Sequence, residues 1–212
     1  MPSQHLSSAQ PAQCYLQAHG LSGERAERSL FTDLELVVNA GDGLRIAGPN
    51  GSGKTTLLRG LLGLTVHVEG SIRWLGPAHP LFIGHRAGIS GQLTVLENLR
   101  FLAHLHACEG EPQQLMAALM AVGLSDYADV LAQQLSAGQH RRVMLALLYL
   151  PQPLRCWVLD EPFTALDQAA VMHLESHLNA HCAAGGAVVL TSHQLPQVWQ
   201  HQTLDLSVGQ FT

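Results

Sequence analysis

"LRIAGPNGSGKTTLLRGLLGL", residues 44–64, changes character twice along its length. Leu44–Ala47 is a short apolar run, the centre is rich in glycine, and the leucines after Lys54 recur at helical spacing. Gly48-Pro49-Asn50-Gly51-Ser52-Gly53-Lys54-Thr55 satisfies the pattern GxxxxGK[ST] between a strand and a helix, the context its chemistry requires. The glycines let successive backbone N–H groups face one concavity, and the helix N-terminus adds partial positive charge there. A Gly-rich turn with no ligand is the plainer alternative, but the strand before it and the helix after it favour a phosphate site. Lys54 is expected to reach the β- and γ-phosphates of a nucleotide and Thr55 to ligate Mg²⁺, with Thr56 beside it.

Upstream, Leu34, Leu36 and Val38 alternate before the turn "AGDG". Downstream, "EGSIRWLG" (69–76) and "PLFIG" (80–84) have strand character. From Thr94 to Leu150 the chain becomes helical, in "TVLENLRFLAHLHA", "PQQLMAALMAVGL" and "HRRVMLALLYL", and Pro151 and Pro153 close that block. "RCWVLDE" (155–161) and "GAVVLTSH" (186–193) contain apolar runs with β-branched residues, each ending in polar residues, and the segment between them has helical periodicity. Apolar strands alternating with helices predict an α/β fold with a parallel sheet covered on both faces, into which the helical block is inserted.

The composition fits a folded domain: 212 residues, 47% hydrophobic and 13% charged. A formal net charge of −5 gives no footprint for nucleic acid. Four scattered cysteines without a CxxC pair argue against a zinc site or a disulfide framework. No apolar run approaches the roughly 20 residues needed to cross a bilayer. The opening "MPSQHLSSAQPAQ" lacks a basic region followed by an apolar one, so residues 1–13 are expected to be a flexible terminus and any membrane role to need a partner.

Two further stretches narrow a chemistry that a phosphate loop alone leaves open among kinases, GTPases and ATPases. In "LSAGQHRR" (135–142), Ser136, Gly138 and Gln139 stand where a helix would begin, a geometry that suits a helix cap and an anion-binding nest alike. A second anion site on one chain suggests that two chains share each nucleotide. In "CWVLDEPFTALD" (156–167) a strand ends in Asp160 and Glu161, placing one carboxylate by Mg²⁺ and the next beside an attacking water. Glu161 is the general-base candidate, Asp167 a candidate contact across a subunit boundary, and His193 a candidate for orienting or sensing the γ-phosphate.

These motifs, in this order, resemble the nucleotide-binding domains of ABC (ATP-binding cassette) ATPases over residues from about 14 to 200. Gly48–Thr55 matches the Walker A motif, Leu135–Gln139 the LSGGQ-like signature, Cys156–Glu161 Walker B, Thr164–Asp167 the D-loop and His193 the switch histidine. The resemblance implies a P-loop NTPase core with a mostly parallel sheet, an antiparallel N-terminal β region and a helical subdomain at approximately 88–150, all within one domain, 14–205. It also implies a homodimer with ATP sandwiched at its interface.

Three stretches, "GHRAGISGQLTVLENLRF", "QLSAGQHRRVMLALLYL" and "LDEPFTALD", look like the cytochrome c maturation (haem exporter protein A, CcmA) family of ATP-binding subunits. That resemblance implies an ATPase, peripheral on the cytoplasmic face of the bacterial inner membrane. It would be coupled to an integral membrane permease and haem-handling membrane proteins, for haem export or release of a haem-loaded chaperone. The alternatives are the ATP-binding subunit of another small ABC transporter, a soluble non-transport ABC ATPase, or a cassette that binds ATP without turning it over.

Three departures from the ABC pattern stand out. His85 occupies the place of the usual Mg²⁺-contacting glutamine, where a neutral imidazole nitrogen would accept from Mg²⁺-bound water. "LSGERAERSLF" (21–31) offers no aromatic residue for adenine before Phe31, leaving Arg25 or Arg28 to stack on the base. Ala137 replaces a glycine of the signature. His173, His177 and His181 recur every four residues, a spacing that can hold a metal, but no carboxylate or cysteine joins them at ligand spacing and a solvated helix face is expected. No CxxCH is present, and no direct haem binding is expected.

Overall fold

Leu34, Leu36 and Val38 are buried and Glu35 and Val37 exposed, the period of two expected of a strand with one covered face. They belong to the second of two long strands, β1 (Cys14–Arg25) and β2 (Arg28–Asn39), which pair antiparallel. The computed structural model describes residues 13–26, 28–85, 88–108, 110–153, 155–207 and 210–211. The terminus 1–12 and Arg86 lie outside the described residues.

After β3 (Gly43–Ala47) the chain enters the glycine loop and α1 (Lys54–Leu61), then returns as β4 (Val68–Trp74) to the free side of β1, giving a sheet of order β2-β1-β4. β5 (Leu81–Ile83) begins the second sheet. Three helices follow: α2 (Val95–Leu105), α3 (Pro112–Ala121) and α4 (Ala137–Ala146), the last running into a 3₁₀ turn at Leu147–Tyr149. Thr94 starts α2 with a reciprocal capping box to Glu97. β6 (Cys156–Asp160), α5 (Gln168–Ala183) and β7 (Ala187–Thr191) restore the strand–helix alternation. β8 (Gln202–Asp205) and β9 (Gln210–Phe211) complete a sheet of order β5-β6-β7-β3-β8-β9, parallel except for the β8–β9 pair. β8 and β9 are too short for their sequences to show a period.

Every residue of β6 and β7 is buried, which explains their continuous apolar runs. The pleat divides them between two cores. Trp157, Leu159, Val188 and Leu190 face the cluster shared with the helical block and α5. Cys156, Val158, Ala187 and Val189 face the cluster shared with α1 and the antiparallel sheet. Two side-chain bonds pin that sheet to the rest: Tyr15 Oη donates to the Gly185 carbonyl (2.9 Å) and Trp74 Nε1 to the Leu61 carbonyl at the end of α1 (2.7 Å). All four cysteines are free thiols.

Candidate functional site

The loop between β3 and α1 turns through three glycines with positive φ: Gly48 (141°), Gly51 (81°) and Gly53 (102°). A Cβ at Gly48 would lie 2.6 Å from Ser52 Oγ, so both the backbone conformation and the space select glycine there. Lys54 folds back into this loop, its Nζ donating to the carbonyls of Gly48 (2.8 Å) and Pro49 (3.1 Å). Desolvation holds its ammonium below the usual lysine range, opposed by the charges of Glu161 and Asp160. Ser52 Oγ is buried without a hydrogen-bond partner. A folded-back cation beside an orphaned hydroxyl and positive-φ glycines is a cradle that suits a polyphosphate.

The end of β6 lies against this cradle. Thr55 Oγ1 donates to Asp160 Oδ1 (3.1 Å), and Thr191 Oγ1 at the end of β7 donates to the same oxygen (2.7 Å). A hydroxyl and a buried carboxylate from two elements form a hard-oxygen pair suited to Mg²⁺. Glu161 follows with φ of 52°, in the left-handed region that non-glycine residues seldom adopt. Its N–H donates to Thr191 Oγ1 (2.9 Å), and its Oε2 accepts from the His193 N–H (3.3 Å). Glu161 Oε1 lies 3.3 Å from His193 Nε2, but the angles do not make that contact a hydrogen bond, and Oε1 is buried without a partner. An acceptor oxygen without a donor, at the edge of a phosphate cradle, is suited to receive a proton from water. Asn50, Gly51, Gly53, Lys54, Thr55 and Thr56 share one cavity of about 200 Å³ with Glu161 and His193.

Arg25 and Leu30 close another side of that cavity, whereas Arg28 is not among its lining residues. Phe31 is buried: its ring lies where a Cβ of Gly23 would be, and it packs under Gly53. The first aromatic residue before the loop is therefore part of the core.

Ser136, Gly138 and Gln139 do not line the phosphate cavity. Ser136 caps α4, its Oγ accepting from the Gln139 N–H (3.2 Å) while Gln139 Oε1 accepts from the Ser136 N–H (2.9 Å). A Cβ at Gly138 would lie 2.8 Å from the Ala165 carbonyl, so a glycine lets the loop before α5 pass close to α4. Asp167 is engaged within its own chain. Oδ1 caps α5 by accepting from the Ala170 N–H (2.8 Å), and Oδ2 accepts from Arg142 Nη2 (2.6 Å). The Ala170 N–H and Arg142 hold its carboxyl below the usual range.

His85 is not among the residues lining the phosphate cavity. It lines a separate cavity of about 350 Å³ with Ile89, Ala137, His140 and Arg141. The expectation of a solvated face holds for His173, which is exposed, but not for the other two histidines of the α5 row. His181 is buried against Trp157 (centroids 3.5 Å apart), and His177 stacks on Tyr149 (4.0 Å) with His173 beside that ring (5.6 Å). Nε2 of His177 and of His181 each donate to a backbone carbonyl, of Leu148 and Arg155 respectively (2.8 Å each). No group of three potential metal-ligating side chains occurs among the described residues.

Two contributors lie outside the motifs. Thr191 had a signal in its place beside the polar end of an apolar run. Arg141 had none that separates it from Arg142.

The chain matches the ABC transporter family (ABC_tran) over residues 31–164. It is 48% identical over 217 aligned positions to the cytochrome c biogenesis ATP-binding export protein CcmA of Pseudomonas syringae pv. syringae (strain B728a), covering 95% of this chain and 99% of that protein. The protein of the same name from Vibrio vulnificus (strain YJ016) is 44% identical, covering 84% and 92%. Among solved structures, the ATP-binding subunit of an ABC transporter superposes with a TM-score of 0.78 at 24% identity, covering 90% of this chain and 85% of that one. That likeness bears on the fold alone.

Proposed function

Because the chain belongs to the ABC transporter family, within the group of cytochrome c biogenesis ATP-binding export proteins, we propose that it is the ATP-hydrolysing subunit of an inner-membrane complex for c-type cytochrome biogenesis. One observation carries the chemical half of this reading: Glu161, with an unpartnered carboxyl oxygen, shares a cavity with the Lys54 loop and with Thr55, whose hydroxyl is bonded to Asp160. ATP supplies the phosphoryl group transferred to water, and Mg²⁺ the charge that balances its oxygens.

Lys54 and the loop N–H groups bind and orient the phosphates, and Thr55 and Asp160 hold the metal. Glu161 takes the proton of the attacking water on its free oxygen. His193 steadies that carboxyl through its backbone N–H and brings its imidazole to the same place. Ser136, Gly138 and Gln139, exposed or half-buried and outside their own chain's phosphate cavity, would meet a nucleotide held by a second copy, which makes the working unit a dimer. Anchorage at the cytoplasmic face of the inner membrane would come from a permease, since no helix among the described residues is long and apolar enough to cross a membrane.

Affinity purification of the chain from its native membrane tests the assignment. A permease together with haem-handling subunits is the expected result. Ribosomes, nucleic acid or an unrelated permease would refute it.

A further inference from the structure

Arg141 lies on α4 five residues after the Ser136 cap, and its guanidinium is turned away from solvent into the junction between the helical block and the parallel sheet. Nη1 donates to the carbonyl of Gly84 (2.6 Å), immediately after β5, and Nη2 to the carbonyl of Asp160 (2.7 Å), the last residue of β6. Nε is buried and has no partner. A guanidinium in this position donates in a fixed fork, so two carbonyls on neighbouring strands fix its plane, and it fixes them.

The Asp160 carbonyl belongs to the same peptide group as the Glu161 N–H. That N–H donates to Thr191 Oγ1 on β7 (2.9 Å). The peptide plane is thus gripped on its carbonyl edge from α4 and on its amide edge from β7. Directly beyond it Glu161 takes a φ of 52°, a conformation that persists only where its surroundings over-determine it.

We propose that Arg141 is a positioning residue for turnover. It holds the Asp160–Glu161 peptide so that the Glu161 carboxylate points into the phosphate cavity, and it makes that orientation depend on where α4 stands relative to the sheet. The helix that begins at Ser136 and the Glu161 side chain are then mechanically one unit, joined also to the loop that starts at Gly84. The proposal rests on Glu161 being the general base.

The test uses the full chain, with kcat and KM for ATP measured for Arg141→Lys and Arg141→Met and thermal melting as the check on folding. Lysine keeps the charge but cannot donate to both carbonyls in one plane, so it decides the matter if the methionine variant does not fold. The expected result is a kcat lowered about ten- to a hundredfold, as for a misplaced reacting group, with KM within about twofold of wild type.

Single-turnover rates in a Glu161→Gln background should then show no further fall on replacing Arg141. Equal losses with and without Glu161, a folded Arg141→Lys chain with wild-type kcat, or kcat and KM moving together would overturn the proposal. Glu161→Gln alone reports on the base assignment: undiminished turnover there would overturn that assignment before any Arg141 variant is read.

Discussion

The indole of Trp157 and the imidazole of His181 lie face to face, centroids 3.5 Å apart and planes 7° apart, in the core between β6 and α5. Gly186 makes room for the imidazole, since a Cβ there would overlap His181 Nε2. Nε2–H is given to the Arg155 carbonyl, and the desolvated setting favours the neutral imidazole over the protonated one.

Stability should therefore depend on His181 protonation. Desolvation lowers its pKa from 6.5 to about 4, opposed by the Arg155 carbonyl and reinforced by His177 and Arg155. The unfolded chain binds this proton at higher pH than the folded one, so the contribution is complete above about pH 6.5 and is lost as pH falls towards 4. Allowing for partial solvent access, it amounts to about 2 kcal/mol. Urea unfolding of wild type and His181→Phe between pH 4 and 7.5 checks this: the wild-type curve should steepen below 6.5, and the variant's should be flatter.

Ser136 should separate its two roles under substitution by aspartate. Aspartate caps helices as well as serine does, so Ser136→Asp should leave stability within about 1 kcal/mol of wild type. Where Ser136 meets a phosphate held by a second copy, as proposed, the added charge should suppress ATP-dependent dimers. Melting and size-exclusion chromatography of the Glu161→Gln chain with ATP, with and without Ser136→Asp, provide the comparison. Dimers of normal abundance would show that Ser136 only caps.

Glu175 is almost wholly buried on α5, and its Oε2 accepts from the backbone N–H groups of Gln197, Val198 and Trp199 (3.0, 2.5 and 3.2 Å). Glu175→Ala strands three donors of the segment following His193 and should cost about 3 kcal/mol or more. Glu175→Gln, which keeps a carbonyl acceptor, should cost less. Equilibrium unfolding of the two variants gives the order, and equal losses would show that the space filled matters more than the acceptor.

His85 lies outside the phosphate cavity, so His85→Ala should leave ATP affinity of the purified chain within about twofold of wild type, or less than about 0.5 kcal/mol. Titration with a fluorescent ATP analogue measures it. A loss of tenfold or more would mean that the loop swings in when nucleotide binds.

Much of the fold is legible because its signals are local. Apolar runs announce β6 and β7, leucine spacing announces α1, and capping pairs such as Thr94–Glu97 and Ser136–Gln139 mark helix starts by residue type and spacing. The phosphate loop is legible for the same reason: the glycines are needed by the backbone that they themselves form. The burial of His177 and His181 is not legible, because a period of four says which residues share a face, not what covers it. Tyr149 and Trp157 cover it, and they come from other parts of the chain.

By itself the sequence determined the backbone-encoded parts: the cradle at Gly48–Thr55, the carboxylates at the end of an apolar strand, and the order that identifies the family. Only the tertiary structure decided which of two adjacent arginines does what. Arg141 points inward to the carbonyls of Gly84 and Asp160, whereas Arg142 reaches the partly exposed Asp167 pair. The physical reason is that neighbouring helix residues point about 100° apart. Identical chemistry is therefore sent to different surroundings, and desolvation and hydrogen-bond partners depend on those surroundings rather than on residue type.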